Sequence, residues 1–161
     1  MSFFVVAKAV RIGSAMHLAK GKGGLPKNRG MHRDLQLYRF GLKPGESLTI
    51  GRNTGRKADP VNDVGVHNQT VSRNQWTVRR MRDGSYRATA KACVNPTFQN
   101  GQMVAGEREH VAFIVRQGDV VTGGSRSKAP IHLVFDPEEK LTHLSNPQVM
   151  RKHLESLGHT V

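Results

Sequence analysis

Residues 76–94, "WTVRRMRDGSYRATAKACV", alternate in a way few folds accept. Trp76 and Val78 stand against Thr77 and Arg79. An Asp-Gly pair follows at residues 83–84. Then Tyr86, Ala88, Ala90, Ala92 and Val94 share one face, while Arg87, Thr89 and Lys91 share the other. Period-two patterning on both sides of a turn signal specifies an antiparallel hairpin with one buried face. Such a hairpin is marginal alone and needs further strands to cover it.

Those strands are present. "DLQLYRF", "SLTIG", "HVAFIV" and "IHLVF" are short and β-prone, and "FFVVAKAV" at residues 3–10 is a further candidate. "KPGE", residues 43–46, places Pro and Gly as a type II turn requires. No helical period appears between residues 34 and 136. Short strands with Gly-rich turns every eight to twelve residues predict an all-β sandwich or barrel.

The ends differ from the middle. Residues 13–33 are rich in Gly and Lys and read as a basic linker. Near the C-terminus, Asn146 suits a helix N-cap and Pro147 the first helical position. Val149, Met150, His153, Leu154 and Leu157 then form an apolar stripe, and Gly158 a C-cap. The expected division is a basic strand and flexible arm over 1–33, a β-sandwich over 34–136, and a tail with a short helix over 137–161.

Lys and Arg number 25 against 12 Asp and Glu, a formal charge of +13. Residues 1–47 hold nine of those cations and two of the acids. This balance favours an acidic partner without naming it. Cys93 is the single cysteine, which excludes an intrachain disulfide and a cysteine-based zinc cluster; a small buried side chain is expected there. The eight histidines show no ligand spacing, so neither metal nor cofactor is expected. "FFVVA" is too short to span a membrane. A soluble, cytoplasmic protein is expected.

Three stretches carry unusual polar residues at strand ends: "IGRN" with Arg52, "QTVSRN" with Ser72 and Arg73, and "VNPTFQNG" with Thr97 and Asn100. Loops at one end of a sandwich cluster, so residues distant in sequence can converge. Arginine forks and hydroxyls suit a phosphate, and an amide can pair with a peptide backbone. No base is placed to activate a nucleophile, so an anion receptor is expected, not an enzyme.

"IGR", "NDVGVHNQTVSR", "NPTFQNG" and "QGDVV" stand in the order and approximate spacing of the forkhead-associated (FHA) domain, which residues 35–136 resemble. The resemblance implies a sandwich of about eleven strands that binds phosphothreonine in partner proteins, targets of a Ser/Thr kinase. It implies that Arg52, Ser72, Arg73 and Thr97 serve the phosphate and that Asn100 holds the peptide. Gly51 and Gly101 would shape the loops. Gln75 stands where the family usually has His and would brace them. Pro96 stands where the family often has Gly. The function implied is a signalling or assembly adaptor. Two alternatives are nucleic-acid binding through residues 8–33 and phosphate-independent assembly.

Overall fold

The computed structural model describes residues 2–8, 10–12, 19–20, 35–53, 62–66, 68–125, 130–136 and 146–161. Most of the basic linker lies outside these residues, as do Arg56 and Lys57. Among the described residues, thirteen strands form two sheets. The first sheet runs β10 (Gln102–Ala105), β9 (Thr97–Gln99), β12 (Val120–Gly123), β13 (Ile131–Phe135), β1 (Phe3–Ala7), β4 (Gln36–Phe40) and β3 (Ala19–Lys20). The second runs β11 (His110–Val115), β8 (Tyr86–Lys91), β7 (Trp76–Arg80), β5 (Ser47–Gly51), β6 (Val64–Val66) and β2 (Val10–Ile12). The fold is the expected β-sandwich with a short C-terminal helix. The edge strands β2 and β3, from residues 10–20, take the count above eleven.

The predicted hairpin forms, pairing Trp76 with Ala90 and Val78 with Ala88. Its apolar face meets the first sheet across a core that includes Phe3, Phe40, Tyr86 and Phe135, whose ring centroids lie 5.2–5.7 Å apart. Aromatic contacts at that separation add to the burial of their area. The "KPGE" turn closes with the Glu46 amide donating to the Lys43 carbonyl at 2.9 Å, and Gly45 adopts φ +88.

One boundary moves. β1 lies inside the first sheet, antiparallel to both β13 and β4, with Phe3 opposite Phe135 and Phe40. Phe3, Phe4, Val5 and Val6 are wholly buried. The division after residue 33 therefore cuts through the core, because β1 has apolar neighbours on both faces. The other face is covered by α1 (Pro147–Ser156), whose Met150 and Leu154 cluster with Phe4, Val6, Leu37, Val120 and Val134. Asn146 caps this helix through Gln148 and Val149. Gly158 at φ +84 ends it, with the Gly158 amide on Glu155 and the His159 amide on Leu154. Leu157, expected in the apolar stripe, is exposed. No helix among the described residues is long and apolar enough to cross a membrane.

Candidate functional site

Three loops meet at one end of the sandwich through short bonds. β5 ends at Gly51, and the next residue, Arg52, donates its amide to the Ser72 carbonyl at 3.0 Å. Ser72 in turn accepts the Val94 amide on its Oγ at 2.9 Å. Two hydrogen bonds thus join the loop after β5, the loop before β7 and the loop after β8. Gly51 is required for the approach itself: a Cβ there would fall on the Arg73 carbonyl oxygen and 2.9 Å from Asn62 Nδ2. Asn62 fixes the same spot, donating Nδ2 to the Arg73 carbonyl at 2.8 Å and to Asn53 Oδ1 at 3.2 Å.

The cations stand over this junction. Half-buried Arg52 donates one Nη to the Gln69 carbonyl at 3.3 Å, while its buried Nε has no acceptor among the described residues. Arg73 is exposed. Ser72 Oγ, having accepted from Val94, still has its own proton to donate. The junction therefore carries two arginines, one half-buried and one exposed, and a serine hydroxyl.

Gln75 supports it from beneath. It is fully buried, and its Oε1 accepts the Ser72 amide at 2.9 Å. Its carbonyl accepts from the Lys91 amide at 3.1 Å and from Cys93 Sγ at 3.0 Å. Burial raises the Cys93 thiol pKa, which keeps it a thiol. Thr70 ties the loops laterally. Its Oγ1 donates to Asn68 Oδ1 at 2.8 Å and accepts the Ser125 amide at 2.9 Å, while its carbonyl accepts Asn95 Nδ2 at 2.9 Å.

Two of the expected ligand residues have other work. Thr97 is 1% exposed, and its Oγ1 accepts the Trp76 indole at 3.0 Å. It props the loops from inside instead of presenting a hydroxyl to solvent. Asn100 and Gly101 have φ +51 and +82 and form the two-residue turn between β9 and β10. The Asn100 amide group is committed there, Nδ2 to Asp119 Oδ1 and Oδ1 from the Val120 amide, both at 2.9 Å. β12 runs from Val120, beside Asn100, to Gly123, beside Trp76 and Gln75. Asn100 therefore lies at the other end of β9 from the loop junction.

Residues 48–124 match the family model of the FHA domain. The chain carries a forkhead-associated domain. Among solved structures, it is similar to the FHA domain of CT664 from Chlamydia trachomatis at 16% identity, covering 83% of this chain and 97% of that one with a TM-score of 0.49. It is also similar to the N-terminal FHA domain of Rad53p from S. cerevisiae, solved with a phosphothreonine peptide, at 20% identity over 56% of this chain and 68% of that one with a TM-score of 0.43. Full-length yeast Pml1p matches at 15% identity, 83% and 81% coverage and a TM-score of 0.47. No curated protein matches the chain in sequence.

Within this FHA domain, sequence reasoning passed over Asn95 and Thr70. A signal for Asn95 was available. Asn100-Gly101 marks a two-residue turn, so the three residues before it belong to a strand and only residues 92–96 remain as loop. Asn95 is the amide in that loop. It follows Val94, whose backbone holds Ser72, and its Nδ2 reaches Thr70.

Proposed function

We propose that this FHA domain binds phosphothreonine peptides, with Arg52, Ser72 and Arg73 receiving the phosphate and Asn95, not Asn100, beside the peptide backbone. The observation that carries this is the pair of bonds joining Arg52 to Ser72 and Ser72 to Val94. They join the residue whose buried guanidinium N–H is unsatisfied among the described residues to the residue whose hydroxyl has a proton to give. A dianionic phosphate supplies three strong acceptors and matches both groups. Charge-assisted bonds of ~1.5–3 kcal/mol each, less the cost of ordering a peptide, correspond to roughly micromolar affinity. Among the described residues, the hydroxyls of Thr70 and Ser72 meet amide groups and no general base, which favours binding over catalysis. The chain then works as a cytoplasmic signalling or assembly adaptor, with a Ser/Thr kinase supplying the phosphate.

Titration with phosphothreonine, phosphoserine and unmodified peptides tests this. Arg52→Ala and Ser72→Ala are each expected to lower phosphothreonine affinity about tenfold or more with melting temperature held. Asn95→Ala is expected to weaken binding. Asn100→Ala is expected to lower the melting temperature and leave the affinity of the folded protein in place. The phosphoserine peptide, lacking one methyl, is expected to bind about tenfold more weakly. Unchanged affinity in well-folded Arg52→Ala and Ser72→Ala would overturn the reading, and equal binding of the unmodified peptide would favour phosphate-independent assembly.

A further inference from the structure

The outer face of the second sheet is cationic, with Arg79, Arg87 and Lys91 exposed on it. Strand pairing lays it out in rows. Ser47, Arg79, Arg87 and Ile114 lie side by side across β5, β7, β8 and β11; Thr49, Thr77, Thr89 and Ala112 form the next row. Lys91 and His110 form the one after it. Arg79, Arg87, Lys91, His110 and Ala112 are all exposed. Adjacent strands lie ~4.8 Å apart, so Arg79 and Arg87 stand directly beside each other; Lys91 lies ~13 Å along β8 from Arg87.

Two features set this face apart. Like charges directly opposite across strands oppose pairing, yet the Arg79–Arg87 pair has no carboxylate partner among the described residues. The acids at its margins are engaged by backbone amides: Asp63 by Thr49, Asp83 by Ser85, and Glu109 by Gly106. The face is also poor in apolar anchors. Among the exposed large hydrophobic side chains of the described residues, Ile114 alone lies on it, at one corner. Protein interfaces centre on buried aromatic or apolar anchors, and membrane-surface elements need apolar side chains to insert. Arginines amid threonines fit neither, but they match a polyanion that offers evenly repeated phosphates and needs only charge and hydrogen-bond donors.

We propose that this sheet face binds the phosphodiester backbone of nucleic acid without regard to base sequence. Arg79 and Arg87 lie towards the opposite end of β7 and β8 from the loop junction. Backbone contacts of this kind serve DNA and RNA alike, so DNA suffices as probe.

The experiment measures anisotropy of a labelled mixed-sequence 20-base-pair duplex and of its single strand between 50 and 200 mM salt. The full chain is compared with R79Q/R87Q and with K140Q/K152Q, which removes the same charge from the C-terminal segment. The expected result is salt-dependent binding of duplex or single strand by the wild type. R79Q/R87Q should bind about tenfold or more weakly at 50 mM salt, with the log–log salt slope smaller by about 1.8. Its melting temperature should be equal or higher, because the cross-strand repulsion is gone. K140Q/K152Q should keep most of the affinity and slope. Absence of binding to both DNA forms would overturn the proposal. So would equal losses in the two variants, or wild-type binding by R79Q/R87Q. Polyglutamate or phosphatidylserine vesicles bound as tightly as DNA through Arg79 and Arg87 would replace nucleic acid with that partner and overturn it equally.

Discussion

The two sheets are built from differently patterned strands. In the second sheet, β8 reads Tyr-Arg-Ala-Thr-Ala-Lys, apolar in and polar out at every step. In the first, β1 reads Phe-Phe-Val-Val-Ala with every residue buried. The alternating strand has one dry face, and the continuous apolar strand has two. α1 accounts for the difference: it covers the first sheet with Met150 and Leu154, while the second sheet's outer face stays open. A run without alternation is thus a sign of a second layer, even in an antiparallel sheet.

The harshest way to test this contrast is to remove β1. A chain lacking residues 1–8 loses the strand between β13 and β4 and the Phe3 rings packed against Phe40, Tyr86 and Phe135. Loss of near-ultraviolet circular dichroism and of cooperative melting is expected. A native-like melt would mean that β1 is dispensable and the two-layer account mistaken.

The second test sets one face against the other. Leu154→Ala removes a fully buried side chain from under the helix and is expected to cost about 2–5 kcal/mol in denaturant unfolding. Thr89→Ser, on the open face of β8, is expected to change stability by less than about 0.5 kcal/mol. Comparable costs would show that the open face is packed after all.

The third uses pH. His132 on β13 lies beneath the C-terminal residues. The Thr122 hydroxyl meets its Nδ1 at 2.9 Å, and its Nε2–H donates to the Thr160 carbonyl at 3.0 Å. Burial pushes its pKa from 6.5 down to about 4; the bond to Thr160 acts the other way, and nearby His159 adds to the lowering. The unfolded chain then binds the extra proton between those values, so stability falls as pH drops from 6.5 towards 4. The loss from this group is on the order of 3 kcal/mol. Urea midpoints over that range should show a shallower slope in His132→Gln than in the wild type. Parallel slopes would remove His132 as the cause.

The parts legible in the sequence were the local ones. The 76–94 hairpin, the "KPGE" turn and the Asn146 cap each depend on neighbours a few residues away. β1 was recognisable as a strand but not as a central one, since its partners begin at Gln36 and Ile131 and nothing in Phe3–Ala7 names them. The site divided in the same way. Arg52, Ser72 and Gln75 were expected together because strand ends bound their loops, and hydrogen bonds from Arg52 to Ser72 and from Ser72 to Gln75 join them. Thr97 and Asn100 were assigned to the rim because their side chains are polar. Their actual partners, Trp76 and Asp119, are 21 and 19 residues away and depend on strand register. A polar side chain in a turn sequence does not reveal which side of the strand it ends on.

Thr70 leaves one more consequence. Its hydroxyl and carbonyl tie three loops together before any ligand arrives. A rim already held in place has little to rearrange on encounter, and complexes of that kind form at rates set by diffusion and orientation. Ligands that differ in fit would then differ in how long they stay, and Thr70→Val, by loosening the loops, should slow arrival as well as hasten departure.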